Sequence, residues 1–165
     1  MEQFRITPKA VIFLDGKVLL LRKITGKWDL PGGRLNDGEE IESCLVREAT
    51  EELGLGVTVG PLIQCNLRRL KDTRSSIAVI THLCKLNGNF SDIELSPEHA
   101  QARLFSRDEI DSLEMRAVYR KPVHKAFSQQ MNTLDAQQAF HEMQSPRTDR
   151  SLFQKLLAHL FSSKG

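Results

Sequence analysis

The sequence predicts an α/β or α+β sandwich built around a mixed β-sheet. Three observations carry this. Two apolar runs near the N-terminus are joined by a tight turn, one amphipathic helical segment sits among strands, and further helical segments follow the last strand. At 165 residues the chain suits one domain with a core of its own.

Residues 6–23 read as a β-hairpin, because AVIFL and VLLLRK flank Asp15-Gly16, a good two-residue turn. Residues 24–38 read as a loop, since Pro31, Gly32 and Gly33 stand together. Residues 39–53 are helical by pattern, and Gly54 stops the helix. Strands are expected over 57–67 and 76–86, the second ending at Asn87-Gly88, and a short strand over 101–105. Ser106 and Glu109 form a capping-box pattern that opens a short helix. Pro122 fits the first turn of a longer helix running to about residue 131.

A domain over 1–144 and a C-terminal extension over 145–165 follow from the tail. Residues 145–151, SPRTDRS, are a polar break. Leu152, Phe153, Leu156, Leu157, Leu160 and Phe161 then recur at helical spacing. That stripe reads as an amphipathic helix docked on its own domain, and a homodimer is left open.

Composition excludes several classes. Lys plus Arg number 23 and Asp plus Glu 21, a net charge of +2, which gives no case for a stable nucleic-acid partner. The runs Ala10–Leu14 and Val18–Leu21 are far too short to span a bilayer, so no membrane partner is expected. The opening MEQFRITPK lacks the apolar stretch of a signal peptide, and a cytoplasmic location is the expectation. Cys44, Cys65 and Cys84 are odd in number and widely spaced, which reads as buried reduced thiols.

The chemistry concentrates on the first helix. Glu48, Glu51 and Glu52 stand at i, i+3 and i+4 and so point within about a third of the circumference. Ile41, Leu45, Ala49 and Leu53 form the adjoining apolar stripe, which puts the carboxylates at the margin of the buried face. Like charges at this spacing cost a helix roughly 0.2–0.5 kcal/mol a pair in water, and more when desolvated. A bound cation reverses the sign. Oxygen-only ligands favour a hard ion, Mg²⁺ or Mn²⁺. E-x-x-E-E also occurs on solvated helix faces, so the motif alone does not decide.

The preceding loop does more. Trp28-Asp29-Leu30-Pro31-Gly32-Gly33 leads to Glu39, Arg47, the three glutamates and Gly54. This order resembles the Nudix hydrolase family, whose box runs G-x5-E-x7-R-E-U-x-E-E-x-G-U with U a bulky aliphatic residue. Gly33, Glu39, Arg47, Glu48, Glu51, Glu52 and Gly54 fall on its seven fixed positions over 23 residues, with Leu55 at the last U and Ala49, a smaller residue, at the first.

The resemblance implies an α/β/α sandwich around a mixed sheet. It implies Mg²⁺-dependent hydrolysis of a nucleoside diphosphate linked to another moiety, with a small nucleotide-like substrate as partner. Glu48, Glu51 and Glu52 would be metal ligands, with the Gly32 carbonyl a further one. Arg47 and Glu39 would brace loop and helix. Two general bases stay open: Glu52, and Glu98 in Ser96-Pro97-Glu98-His99, which resembles the family's S-x-E-H stretch although Leu104 stands where members often carry Trp. Glu98 reads equally as a turn residue, His99 as structural, and Trp28 as a packing anchor before a base-stacking platform. Arg68 and Arg69, with Lys71 and Arg74, could meet substrate phosphates or form a solvated loop. The downstream Pro and Tyr that mark the ADP-ribose and dinucleoside-polyphosphate branches are absent, and so are the coenzyme A and NADH marks. A nucleoside triphosphate or nucleotide-sugar is the expected substrate. The rivals are a Nudix-fold binding module without catalysis and a prenyl-diphosphate isomerase.

Overall fold

The computed structural model describes residues 3–69 and 75–144. The chain divides into two compact units, residues 1–126 and 127–165. The first carries every strand among the described residues. In the second, the described part is helix as far as Gln144.

The hairpin forms as its sequence dictates. β1 (Gln3–Leu14) and β2 (Lys17–Lys23) meet antiparallel across Asp15-Gly16. β4 (Val57–Arg69) and β5 (Ser75–Leu86) follow, antiparallel to each other, and β6 (His99–Phe105) runs antiparallel to β2. β5 pairs with β1 in parallel, so the sheet is mixed. A strand that the sequence reading missed, β3 (Trp28–Asp29), lies on β2, giving the order β3-β2-β1-β5-β4 with β6 also on β2. Two residues carry no periodicity, which is why the segment reads as loop.

One feature of this sheet positions the site. β1 and β2 stay paired only at their turn end, at Phe13–Val18 and Leu14–Lys17. The chain after β3 fills the gap beside the first half of β1. Ala10 N–H donates to the Pro31 carbonyl at 2.8 Å, and Leu35 N–H to the Ile6 carbonyl at 3.0 Å. The Pro-Gly-Gly turn is thereby fixed along an interior strand.

Helix α1 (Ile41–Leu53) closes over one face. Leu45, Ala49 and Leu53 pack with Ala10, Ile12, Leu19, Leu21, Val57, Cys84 and Leu86 in a single core. Gly54, at φ +70°, ends the helix and donates to the Thr50 carbonyl at 3.0 Å. On β2, Val18, Leu19, Leu20 and Leu21 are all fully buried, so both faces of the sheet are covered, as in the α/β class.

The capping box at Ser106 opens a 3₁₀ helix, Arg107–Ser112, with Glu109 Oε2 accepting the Ser106 N–H at 2.8 Å. A second 3₁₀ turn, Phe90–Asp92, was not foreseen. Helix α2 (Ala117–Gln144) starts ahead of Pro122 rather than at it and runs past residue 131. The proline forgoes one helical hydrogen bond. The turn before it is retained because Tyr119 is buried, and the Tyr119 and Arg120 N–H groups donate to the Arg116 carbonyl, each at 3.0 Å. A further correction concerns the thiols. Cys44 and Cys84 are buried, but Cys65 is exposed, because β4 is an edge strand. The polar break over 145–151, the apolar stripe over 152–161, Lys71 and Arg74 lie outside the described residues. Among the described residues no helix is long and apolar enough to cross a membrane.

Candidate active site

The site is built where α1 runs beside the Pro-Gly-Gly turn. Arg47 is its brace. Its Nε donates to Glu39 Oε1 at 2.8 Å and its Nη2 to Glu39 Oε2 at 3.0 Å, a two-pronged pair that ties the loop to the helix. Its Nη1 donates to Glu48 Oε1 at 2.7 Å and lies 3.5 Å from Glu51. Arg47 Nη2 also reaches the Arg34 carbonyl at 3.2 Å. The Arg47 hydrogen bonds, then the Asn36 N–H, hold the Glu39 carboxyl at a pKa of about 2. The hydrogen bonds to Glu39 and then to Glu48 raise the Arg47 pKa above its ordinary value.

The glycines make room for the acids. At Gly33 a Cβ would overlap the Glu48 carboxylate. Gly32 has φ +121°, and a side chain there would strike the Pro8 carbonyl of β1. With no side chain, Gly32 lies against β1 and donates its N–H to Glu52 Oε2 at 2.8 Å.

Glu52 has the least exposed side chain of the three acids. Burial pushes its carboxyl up to about 7, while Lys9 and then the Gly32 N–H pull it down without cancelling that effect. Lys9, on β1, was not singled out in the sequence. Its ammonium donates to the Leu30 carbonyl at 2.9 Å and to the Gly32 carbonyl, and lies 3.3 Å from Asp29 Oδ1. His99 is buried on the other side of Glu52, with Nε2 3.6 Å from Glu52 Oε1 and Nδ1 3.2 Å from Ser96 Oγ. Burial, then Lys23 and Lys9, lower the His99 pKa, which favours neutral imidazole.

The other sequence candidates fall into place as follows. Glu98 is exposed on the turn closed by His99 N–H donating to the Ser96 carbonyl at 3.1 Å. Trp28 packs edge-on against Phe105, with centroids 4.6 Å apart at 80°, in keeping with a packing anchor. Arg68 and Arg69 are exposed at the end of β4. Through β5, Arg68 lies in register with Arg5, four residues along β1 from Lys9 and so about 13 Å along the strand.

For a divalent ion the donor set is chemically suited: three carboxylates, oxygen only, at the margin of one helix face. The Lys9 ammonium beside Glu52 shows that this corner draws positive charge. Among the described residues no three acidic, His or Cys side chains converge on one point, because Arg47 holds Glu48, Gly32 holds Glu52, and Glu51 extends outward.

A model of the NUDIX domain matches residues 5–127, which is most of the chain. This chain belongs to the Nudix family. The Nudix chain is 36% identical over 66 residues to the CTP pyrophosphohydrolase of Escherichia coli, a stretch covering 37% of this chain and 49% of that enzyme, so about half the length of that relative is spanned. It is 33% identical over 110 residues to a MutT-like protein of Streptomyces ambofaciens, covering 66% of this chain and 67% of the relative. Its fold superposes on a NUDIX hydrolase from Nitrosomonas europaea with a TM-score of 0.68 at 24% identity, over 76% of this chain and 90% of the other.

Proposed function

We propose that this chain hydrolyses a diphosphate linkage in a nucleotide-type substrate with the help of a divalent cation, Mg²⁺ or Mn²⁺. The observation that carries the reading is the braced carboxylate helix. Arg47 fixes Glu39 and Glu48, and Gly32 fixes Glu52, so the acids are held by short hydrogen bonds before any substrate arrives. Glu48, Glu51 and Glu52 would hold the metal. When bound, such an ion neutralises phosphate oxygens and lowers the pKa of a coordinated water. The remaining work falls to the chain. A carboxylate, Glu98 or Glu52, would accept the proton of the attacking water. Arg68 and Arg69 would meet the far end of an extended substrate.

A nucleoside triphosphate or nucleotide-sugar is the substrate class, and a triphosphate is the choice the Escherichia coli relative's name favours. The prenyl-diphosphate isomerase reading needs an activated thiol. Burial instead pushes the Cys44 and Cys84 thiols up to about 11, which speaks against those two in that role.

A hydrolysis screen over nucleoside triphosphates, oxidised nucleotides, sugar nucleotides and dinucleotides tests the reading. Turnover is expected with Mg²⁺ or Mn²⁺, lost with chelator and restored by adding the ion back. Full turnover in a stringently metal-free preparation, or none on any diphosphate, would overturn it.

A further inference from the structure

Two ammoniums share one carboxylate beside the Glu52 corner. Asp29 is buried, with Lys9 Nζ 3.3 Å from its Oδ1 and Lys23 Nζ 3.3 Å from its Oδ2. The Leu30 N–H fixes the same carboxylate, donating to Oδ1 at 2.8 Å. The two lysines differ in access: the Lys9 side chain is 4% exposed and that of Lys23 is 45% exposed. One carboxylate cannot neutralise both. Glu52 also lies within electrostatic reach of Lys9, but in the reading above a cation claims that acid. Lys23, the outward member of the pair, is left with positive charge to offer an anion. Arg47 has no such charge to spare, since its guanidinium braces Glu39 and Glu48.

The backbone aims Lys23 at this corner. Leu19 and Leu21 pack in the core under α1, and alternation along β2 puts Lys23 on the same face and Arg22 on the other. β2 and β6 pair residue for residue as far as Arg22 and Gln101. Lys23 then faces His99, with Ala100 the extra residue of a bulge. The bulge thus sets Lys23 opposite the imidazole whose Nε2 lies 3.6 Å from Glu52 Oε1. The next pairing ties the turn that bears Glu98, whose carbonyl accepts the Ile24 N–H at 3.2 Å.

We propose that Lys23 is a substrate-contacting residue, whose ammonium donates to a non-bridging oxygen of the diphosphate. The inference rests on the hydrolase reading above. An ammonium has three N–H donors, so a bond to Asp29 leaves two for phosphate while Asp29 holds the lysine in place.

The test titrates methylenediphosphonate, a non-hydrolysable diphosphate, with Mg²⁺ into the wild-type chain, Lys23→Met, Lys23→Arg and Arg22→Met, read by calorimetry. Lys23→Met is expected to bind it about tenfold more weakly or worse, the scale of a lost charge-assisted hydrogen bond. Lys23→Arg should recover most of that affinity, and Arg22→Met should match wild type. Mn²⁺ affinity without the diphosphate should not weaken in Lys23→Met, because a nearby cation has been removed. A lysine that serves only the fold would leave diphosphate affinity unchanged in folded Lys23→Met, which overturns the proposal. An equal loss in Arg22→Met also overturns it, since the effect would then belong to the strand end's overall charge. A second measurement needs no variant: acetic anhydride labelling of the wild-type chain, read by mass spectrometry. The bound diphosphate should protect Lys23 and not Lys27, whose side chain is 52% exposed. Equal labelling of Lys23 with and without the diphosphate, or turnover of a substrate by a chain that does not bind the bare diphosphate, overturns the proposal and leaves the hydrolase reading standing. A wild-type chain that neither binds the diphosphate nor turns over any substrate overturns both.

Discussion

The backbone N–H of Ser96 donates to the carbonyl of Glu52 at 3.1 Å. This single bond ties the turn that bears Glu98 to the last turn of α1. Glu94 N–H repeats the tie one residue over, on the Leu53 carbonyl at 2.9 Å. The two candidate bases thus belong to one rigid corner, although they stand 46 positions apart in the sequence.

That corner separates their roles. Glu52 is enclosed and hydrogen-bonded, whereas Glu98 is exposed on its turn. Glu52→Gln keeps the size and removes the charge, so kcat is expected to fall by roughly 10²–10⁴, with weaker metal binding. Glu98→Gln is expected to lower kcat on a similar scale while leaving Mn²⁺ affinity without substrate unchanged. Steady-state kinetics and metal titration on both variants decide. A Glu98→Gln enzyme with wild-type kcat assigns the base to Glu52.

Gly33→Ala probes Glu48 without touching its charge. The added methyl would overlap the Glu48 carboxylate and force it from its place beside Arg47. Mn²⁺ affinity should drop by about tenfold or more, the scale on which disturbed supporting contacts act. Gly56→Ala is the control, since neither glycine has a left-handed φ and an added carbon at Gly56 meets only ordinary contacts, Asn87 Nδ2 at 3.8 Å and Thr50 Oγ1 at 3.9 Å. Equal losses in both variants would trace the effect to loss of a glycine near the helix and not to the overlap with Glu48.

Arg47→Lys removes the fork but keeps a charge. Lysine cannot bond both Glu39 oxygens and Glu48 at once, as the guanidinium does. Metal affinity and kcat are each expected to fall about 10-fold to 100-fold, with thermal stability lowered as the loop over 34–39 loses its tie. Unchanged kinetics would show that the brace is dispensable.

Much of this corner was legible because its signals are local. Asp15-Gly16, Gly54 and the Ser106–Glu109 box each dictate backbone within a few residues, and the structure follows them. The spacing of Glu48, Glu51 and Glu52 likewise carries its own geometry, because positions three and four apart share a helix face, whereas Glu39 lies ahead of α1 and only the family resemblance tied it to Arg47. The pieces that escaped are non-local or too short. Lys9 finds its carbonyl partners 21 and 23 residues away, so no window along the chain joins them. The available signal was a lone lysine inside an apolar strand, where a charge needs a buried counterpart. Pro122 misled for the complementary reason. A local rule places proline in the first turn of a helix, but burial of Tyr119 extends the helix ahead of it.

The last prediction turns the burial of Glu52 into a stability measurement. Its carboxyl titrates at about 7 in the folded chain against the ordinary 4.5, with burial as the main cause. The folded state therefore binds this proton more tightly than the unfolded state does. Below pH 4.5 both states are protonated and there is no penalty. Between 4.5 and 7 the unfolded chain has lost a proton that the folded one keeps, so stability falls as pH rises. Above pH 7 the full cost of an ionised, enclosed carboxylate is present, on the order of 3 kcal/mol. Glu52→Gln removes that cost. In chelator, urea unfolding at pH 8 should find the variant more stable than wild type by this order, and at pH 4 the two should coincide. Adding Mg²⁺ at pH 8 should reverse the ranking, because an ion that binds only the folded wild type stabilises it by mass action, while the variant has lost a ligand. A wild type as stable as Glu52→Gln at pH 8 without metal would show that the carboxylate is accommodated without cost. Its place beside Gly32 would then be structural in its own right, and not a site kept in tension until a cation arrives.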